Sequence, residues 1–143
     1  MKSIRKILFV MAALAAVFGF VACSDDDDGP SAVAVYENKE TWKEGDVDCY
    51  DTRTAFFYDD KTFIVTLDYK DDEESWNIIY WTGVYTGDLS TDNTIRMTVK
   101  KVAWGDNDSL IDVPEASKDY FTNIVVFISD GYATINGAVY TKK

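Results

Sequence analysis

The sequence predicts an all-β domain built as an antiparallel up-and-down meander, and two patterns support this. Apolar and polar residues alternate in several segments, most clearly in residues 62–70 and 94–100, and a period of two is typical of a half-buried strand. Short polar connections join the segments and favour hairpins. A closed barrel of about eight strands leaves no exposed sheet edge and is the predicted architecture, with a two-sheet β-sandwich as the alternative.

The first half of the domain is predicted to contain an opening strand and a hairpin. Residues 33–36 form a short apolar run. The polar stretch after them contains Trp42 as its single large apolar side chain, so we expect Trp42 to plug one end of the core. Residues 54–58 then lead through a short acidic connection into residues 62–69. This pattern predicts a half-buried hairpin.

Residues 76–86 predict a long aromatic strand. Strict alternation divides its side chains between two faces, with Ile79, Trp81, Gly83 and Tyr85 on one and Trp76, Ile78, Tyr80 and Val84 on the other. A glycine inside a strand often marks a bulge or a bend. The middle of this strand is therefore predicted to be irregular at Gly83.

The second half of the domain continues the meander. Alternation shifts its phase after Lys101, which predicts a bulge nearby. Residues 114–118 predict one helical turn that begins at a proline. Residues 121–128 are apolar on both faces, which predicts a strand that is covered on both sides or lines a filled interior. Asn136-Gly137 predicts a turn or a kink before the last strand.

The N-terminal residues predict export. Lys2, Arg5 and Lys6 precede an uncharged apolar stretch that ends at Ala22. A positive start, a short apolar core and a small residue before a break are the features of a secretory signal peptide. The apolar stretch is also short for a membrane span, which needs about 20 residues. Residues 1–22 are therefore predicted to be a cleaved signal peptide.

An acidic run follows the predicted cleavage site. Like charges in a row repel one another and stay hydrated, so residues 23–31 are predicted to be an extended tether in front of one domain at residues 32–143. Removal of the signal peptide leaves 11 basic and 25 acidic side chains, a net charge of −14. This charge argues against nucleic acid as a partner and against electrostatic binding to anionic lipid.

The start of the predicted tether resembles that of a bacterial lipoprotein. Phe20-Val21-Ala22-Cys23 is similar to a lipobox, in which the cysteine is diacylated and becomes the new N-terminus. The next five residues resemble the surface-export signal of Bacteroides-type lipoproteins; they are Ser24, Asp25, Asp26, Asp27 and Asp28. The resemblance implies that lipid on Cys23 anchors the protein in the outer membrane, with the domain exposed at the cell surface.

The domain itself resembles the lipocalin-like lipoproteins of Bacteroides-type bacteria. The similar segments are residues 56–63, 83–87, 92–98 and 135–140. The resemblance implies a small lipocalin-like barrel that binds a small ligand.

The residue types argue against catalysis. The chain has no histidine, which removes Cys–His and Ser–His nucleophiles and most zinc sites. If Cys23 carries lipid, Cys49 has no intramolecular disulfide partner, and we expect it to be a packed thiol. Carboxylate pairs fall in predicted turns rather than on rigid positions across a cleft. We therefore expect no catalytic residue, no metal and no cofactor.

Aromatic side chains are the candidate ligand-binding groups. The chain has 4 Trp and 9 Tyr, and both types favour sites that are half wet. Trp81, Tyr85 and Trp104 are predicted to line the barrel mouth or to stack on a sugar ring, with ordinary core packing as the alternative. The predicted function is a surface-anchored protein that binds a small hydrophobic or sugar-like ligand. The alternative is a non-catalytic structural or partner subunit of a cell-surface assembly.

Overall fold

The computed structural model of the protein describes residues 31–90, 93–104 and 107–143, and the side chains of residues 104, 107 and 108 fall outside the description. The predicted signal peptide, Cys23, Ser24 and the four aspartates also lie outside the described residues. The first strand begins at Ala32.

Nine β-strands and one short helical segment form the described part of the chain. The strands are β1 (Ala32–Glu44), β2 (Val47–Tyr58), β3 (Thr62–Lys70), β4 (Ser75–Thr86), β5 (Asn93–Trp104), β6 (Asn107–Asp112), β7 (Ile124–Ser129), β8 (Tyr132–Ile135) and β9 (Ala138–Lys142). A 3₁₀ turn at Glu115–Ser117 leads into α1 (Lys118–Phe121) between β6 and β7, as predicted for this region. Within the described residues, no helix is long and apolar enough to span a membrane.

Eight of the strands close into an antiparallel barrel. Hydrogen-bonded neighbours follow the order β4-β3-β2-β1-β9-β8-β7-β5-β6, and β4 also pairs with β5. The β4–β5 pairing completes the ring, while β6 pairs with the second half of β5. The prediction of a small, closed, up-and-down barrel is confirmed, and the β-sandwich alternative is wrong.

The two ends of the barrel differ. The proximal end carries the β2–β3 turn and Ser31, whose carbonyl accepts a hydrogen bond from Asp59 N at 3.0 Å. The distal end carries the β1–β2 turn, the β8–β9 turn and α1. At the β8–β9 turn, Asn136 and Gly137 have φ values of 50° and 82°. Both positive values fit a tight two-residue hairpin, which confirms the turn predicted there.

Side chains fill the proximal half of the barrel. Cross-strand partners face the same side of a sheet, and the pairs Phe57–Phe63 and Ile95–Val126 both point inward. Each of these four side chains is at most 1% exposed. Phe57 also packs edge-on against Tyr36, with ring centroids 6.1 Å apart. An eight-stranded barrel is narrow enough for its interior to be filled in this way.

Two bulges change which residues face inward. Val65 pairs with Trp81 and Thr66 with Ile79, so Tyr80 is an extra residue in β4. Lys100 is the extra residue in β5, because its neighbours pair with Thr82 and Gly83. The bulge predicted near Lys101 and the irregularity predicted at Gly83 are therefore one feature of the β4–β5 ladder.

The bulge at Tyr80 reverses the predicted faces of the first half of β4. Trp76 pairs with Tyr69 and Ile78 pairs with Leu67. Trp76 and Ile78 consequently lie on the same face as Trp81, where strict alternation placed them opposite. The prediction was wrong because one inserted residue shifts the period of two.

Two hairpins continue past the closed ring at the distal end. Pairing of β1 with β9 covers Tyr36 and Glu37, and pairing of β4 with β5 starts at Trp81. Residues 38–44, 47–53, 67–70 and 75–79 of β1 to β4 extend beyond these positions, and we call them the distal sheet. Six residue steps separate Asn38 from Glu44, so the distal sheet is roughly 20 Å long at about 3.4 Å per residue.

One further prediction is corrected: Trp42 does not plug the core, because it lies on the distal sheet and is 40% exposed. For the segment 121–128, the second of the two predicted alternatives is confirmed. Ile124, Val126 and Ile128 of β7 are buried and line the filled interior, while Phe127 is 59% exposed on the outer face and Phe121 ends α1.

Candidate functional site

The structure separates Trp81 from Tyr85, two of the three aromatic residues that the sequence singled out. Trp81 lines a cavity at the distal end. Tyr85 lies four residues further along β4, in the filled proximal half, where its hydroxyl donates to Tyr58 O at 2.6 Å. Its ring meets Phe57 edge-on, with centroids 5.2 Å apart. Trp104 lies at the end of β5, and its side chain is outside the description. Trp81 and Tyr85 share the inward face, but Tyr85 has the contacts of a core residue.

The distal cavity has a volume of about 170 Å³ and opens at the mouth of the barrel. Strands β2, β3, β4, β8 and β9, together with α1, contribute its lining. The lining residues are Arg53, Val65, Tyr80, Trp81, Tyr120, Ile135, Asn136, Ala138 and Tyr140. The cavity is therefore bounded by four large aromatic rings, with one cation among them.

The aromatic wall of the cavity depends on the bulge in β4. Because Tyr80 is the inserted residue, its ring lies beside Trp81 and stacks on it, with centroids 5.0 Å apart and planes 18° from parallel. Phe121 of α1 meets Trp81 edge-on at 5.7 Å. On the opposite rim, Asn136 Nδ2 donates to the Tyr120 hydroxyl at 2.5 Å. This hydrogen bond ties α1 to the β8–β9 turn across the mouth.

Arg53 is the cation of the cavity. It faces inward because it lies two positions before Ala55 in the same strand, and Ala55 is fully buried. Its Nη1 lies 3.4 Å from Glu40 Oε1 and its Nη2 lies 3.7 Å from Asp51 Oδ2. Burial raises the pKa of the Asp51 carboxyl; Arg53 lowers it and Glu40 raises it. These three charges sum to −1 when both carboxyls are ionised, so the mouth does not attract anions.

Two neutral polar groups lie near Arg53. Asn38 pairs with Arg53 across β1 and β2, and its Nδ2 donates to Val139 O at 2.9 Å. Its Oδ1 is buried and has no hydrogen-bond partner among the described residues. Burial also raises the pKa of the Tyr140 hydroxyl. The mouth thus combines hydrogen-bonding groups with aromatic surface.

Cys49 is a packed thiol, as predicted. It is free, 1% exposed, and lies on the inner face of the distal sheet opposite Trp42. The Tyr69 hydroxyl lies 3.6 Å from Cys49 Sγ and donates to Asp71 Oδ2 at 2.7 Å. This hydrogen bond, with those from the backbone of Glu74 and Glu73, lowers the pKa of the Asp71 carboxyl. The Tyr69 pKa is raised, chiefly by the same hydrogen bond.

Sequence reasoning found Trp81 and missed most of the other lining residues. Tyr80 was predicted to lie on the face opposite Trp81, because the inserted residue in β4 was not recognised. Arg53 carried a usable signal: it is a single cation in phase with Ala55 and Phe57, which are inward-facing apolar residues. Tyr120 carried no such signal, because closure of the barrel brings it to Trp81 from a distant part of the chain.

Comparison with known proteins adds no assignment: no family pattern, no curated protein and no solved structure matches the chain. Among the residues that the structure describes, no group of three or more thiol or carboxylate side chains is placed to bind a metal ion.

Proposed function

We propose that this protein is a non-catalytic binding protein that takes a small, neutral, sugar-like ring at the distal mouth of its barrel, and that a lipid on Cys23 holds it at the cell surface. The observation that carries the proposal is the cavity in which Tyr80 and Trp81 stand close to Arg53. Aromatic faces pack against the C–H groups of a sugar ring, and a guanidinium offers several donors to its hydroxyls.

The size of the cavity favours a single ring over a long apolar ligand. Its volume of about 170 Å³ is below the roughly 300–1,000 Å³ that sites for drug-sized ligands occupy. Below it, Phe57 and Phe63 are almost fully buried and occupy the interior. A fatty acid would also bring its carboxylate towards Glu40 and Asp51, which repel it.

The position of the N-terminal segment fits an anchored binding protein. Ser31 lies at the proximal end, while the cavity opens at the distal end. A chain anchored through Cys23 therefore presents the mouth away from the membrane. This arrangement leaves the mouth accessible to ligands in the medium.

The anchor is tested by replacing Cys23 with Ala. Wild-type protein made in a bacterium that processes lipoproteins should incorporate labelled palmitate and sediment with membranes. Cys23→Ala should lose the label and either become soluble or keep its signal peptide. Equal labelling of the two proteins contradicts the lipid assignment without bearing on the cavity.

The cavity is tested by replacing Arg53 with Met in the soluble domain. We expect tryptophan fluorescence to change on titration with neutral monosaccharides, because Trp81 lines the cavity. Arg53→Met should weaken this binding by about 10- to 100-fold, since a hydrogen bond to a charged group contributes about 1.5–3 kcal/mol. Methionine keeps much of the side-chain volume, so the change removes the donors rather than the packing.

Tyr85→Phe is the matched control. It removes the hydroxyl that donates to Tyr58 O and should lower the free energy of unfolding by about 1 kcal/mol. It should leave sugar affinity unchanged, because Tyr85 lies in the proximal half. Absence of binding by any neutral sugar, or equal loss of affinity in Arg53→Met and Tyr85→Phe, contradicts the cavity proposal.

One observation favours the partner-subunit alternative. Phe127 and Val139 both pair with Thr134, so they lie in one row across β7 to β9 on the outer face. They are 59% and 55% exposed. Clustered apolar groups on an outer face are typical of interaction surfaces. If no sugar binds, this row becomes the first place to look for a protein contact.

A further inference from the structure

The inner face of the distal sheet carries an ordered row of aromatic side chains. Tyr69 pairs with Trp76 across β3 and β4, and their rings stack with centroids 5.1 Å apart and planes 21° from parallel. Trp42 of β1 lies on the other side of Tyr69, with centroids 6.1 Å apart. All three point the same way as the barrel interior, because the bulge at Tyr80 turns Trp76 inward.

The same face carries charged groups beside the aromatic rings. One row of paired residues crosses all four strands and consists of Glu40, Asp51, Tyr69 and Trp76. Its β1–β2 half is carboxylate and its β3–β4 half is aromatic. Arg53 lies one row closer to the barrel and contacts both carboxylates. The inner face is therefore a strip with polar groups on one side and aromatic side chains on the other.

This strip is continuous with the distal cavity. Arg53 belongs to the cavity lining and to the distal sheet. From Arg53, the inner face runs outward past Asp51 to Trp42 near the β1–β2 turn. The outer face of the same strands carries Lys39, Lys43 and Tyr50, whereas Trp42, Tyr69 and Trp76 lie together on the inner face.

We propose that the inner face of the distal sheet binds a neutral polysaccharide chain, with the terminal ring in the cavity and the following rings on Tyr69, Trp76 and Trp42. This proposal rests on the proposed function and extends it from one ring to a chain. A chain is favoured because aromatic groups continue beyond the cavity, with the ring centroids of Trp42 and Tyr69 6.1 Å apart and those of Tyr69 and Trp76 5.1 Å apart on the same face. Carboxylates and a guanidinium side by side provide both acceptors and donors for hydroxyl groups.

The charges on the inner face limit the class of polysaccharide that can bind. Glu40 and Asp51 outnumber Arg53, and the whole chain has a net charge of −11. Uronic acids, sulfated sugars and nucleic acid are disfavoured because their anionic groups would approach this pair of carboxylates. The alternative ligand is a quaternary ammonium compound, because carboxylates and aromatic rings together also bind such cations.

The test measures affinity against chain length. Neutral gluco-, xylo- and manno-oligosaccharides, from the monosaccharide to the hexasaccharide, are titrated by calorimetry, with choline as a separate probe. We expect affinity to rise with length. Trp42→Ala should weaken binding of the hexasaccharide by about tenfold and leave the monosaccharide unaffected. Because Trp42 is already 40% exposed, this variant should fold.

Tyr50→Ala is the matched control. Tyr50 belongs to the same hairpin, is similarly exposed at 44%, and pairs with Thr41 on the outer face. Tyr50→Ala should change neither the affinity for the hexasaccharide nor that for the monosaccharide. If the monosaccharide binds but length has no effect, or Trp42→Ala behaves as Tyr50→Ala, the chain proposal is wrong and the single-ring function stands. If the hexasaccharide alone binds and needs Trp42, the inner face of the distal sheet binds the chain, and the placement of the terminal ring in the cavity is wrong. Binding of choline with no sugar overturns both proposals.

Discussion

Replacing Gly83 with alanine is expected to lower the free energy of unfolding by about 3 kcal/mol. Gly83 of β4 pairs with Val99 of β5, and an added Cβ would collide with the Thr98 carbonyl oxygen. It would also lie 2.9 Å from Val99 Cα and 2.9 Å from Phe63 Cε1. A side chain can move aside, but two of these three atoms are backbone. The clash therefore has to separate the strands whose pairing closes the barrel.

Gly45→Ala is the control for Gly83→Ala. Gly45 lies in the β1–β2 turn at a φ of 65°, and an added Cβ would meet no heavy atom within 4 Å. That variant should lose about 1 kcal/mol, from the left-handed backbone alone. Urea denaturation of the three proteins measures the difference. Equal losses in the two variants would show that the close approach of β4 and β5 is not a constraint on the fold.

Shortening Phe63 is not expected to rescue Gly83→Ala. Shortening Phe63 to Leu removes the one contact that is a flexible side chain. The contact with Thr98 O remains, because it belongs to the β4–β5 ladder. If the double variant Gly83→Ala/Phe63→Leu regained full stability, the strain in Gly83→Ala would come from side-chain packing and not from the backbone contact.

Local patterns were sufficient to predict the class of fold. The turn at Asn136-Gly137 and the alternation in β3 both depend on residues that are neighbours in sequence, and the structure contains both. The phase shift after Lys101 likewise marked a real bulge. Each of these features is set by backbone preferences within a few residues, so a single sequence carries them.

Pairing between distant segments accounts for what the sequence did not reveal. β1 was predicted over residues 33–36, whereas it runs from Ala32 to Glu44. Its second half is polar, but it pairs continuously with β2, and that ladder holds it extended. The bulge at Tyr80 in β4 was not predicted for the same reason, because a bulge is defined by the pairing with the partner strand. The aromatic inner face of the distal sheet follows from both features.

The candidate site was predicted in part for the same reason. Trp81 was recognised because it lies in an aromatic strand, but the other sides of the cavity come from β2, α1 and β9. Those segments meet only because β4 pairs with β5 and β9 pairs with β1. Tyr85 shows the converse. It is aromatic and faces inward, as a binding residue would, but it lies deeper in the barrel and packs in the core.

Trp81 is expected to contribute more to stability than any other lining residue of the cavity. It is 9% exposed, stacks on Tyr80 and meets Phe121 edge-on. Trp81→Ala should lower the free energy of unfolding by about 3–5 kcal/mol, because it leaves a void that the rigid strands cannot close. For a domain of this size, the melting temperature should fall by more than about 10 °C.

The void left by Trp81→Ala provides the decisive measurement. Added indole should refill it and raise the melting temperature of Trp81→Ala while leaving the wild type unchanged. Trp81→Phe should fold and keep part of the aromatic wall, and we expect it to bind sugar about tenfold more weakly than the wild type. If Trp81→Ala melts within a few degrees of the wild type, Trp81 is not packed as the structure places it. If Trp81→Phe binds sugar as tightly as the wild type, any sugar site lies away from this wall, and the distal cavity loses its role in binding.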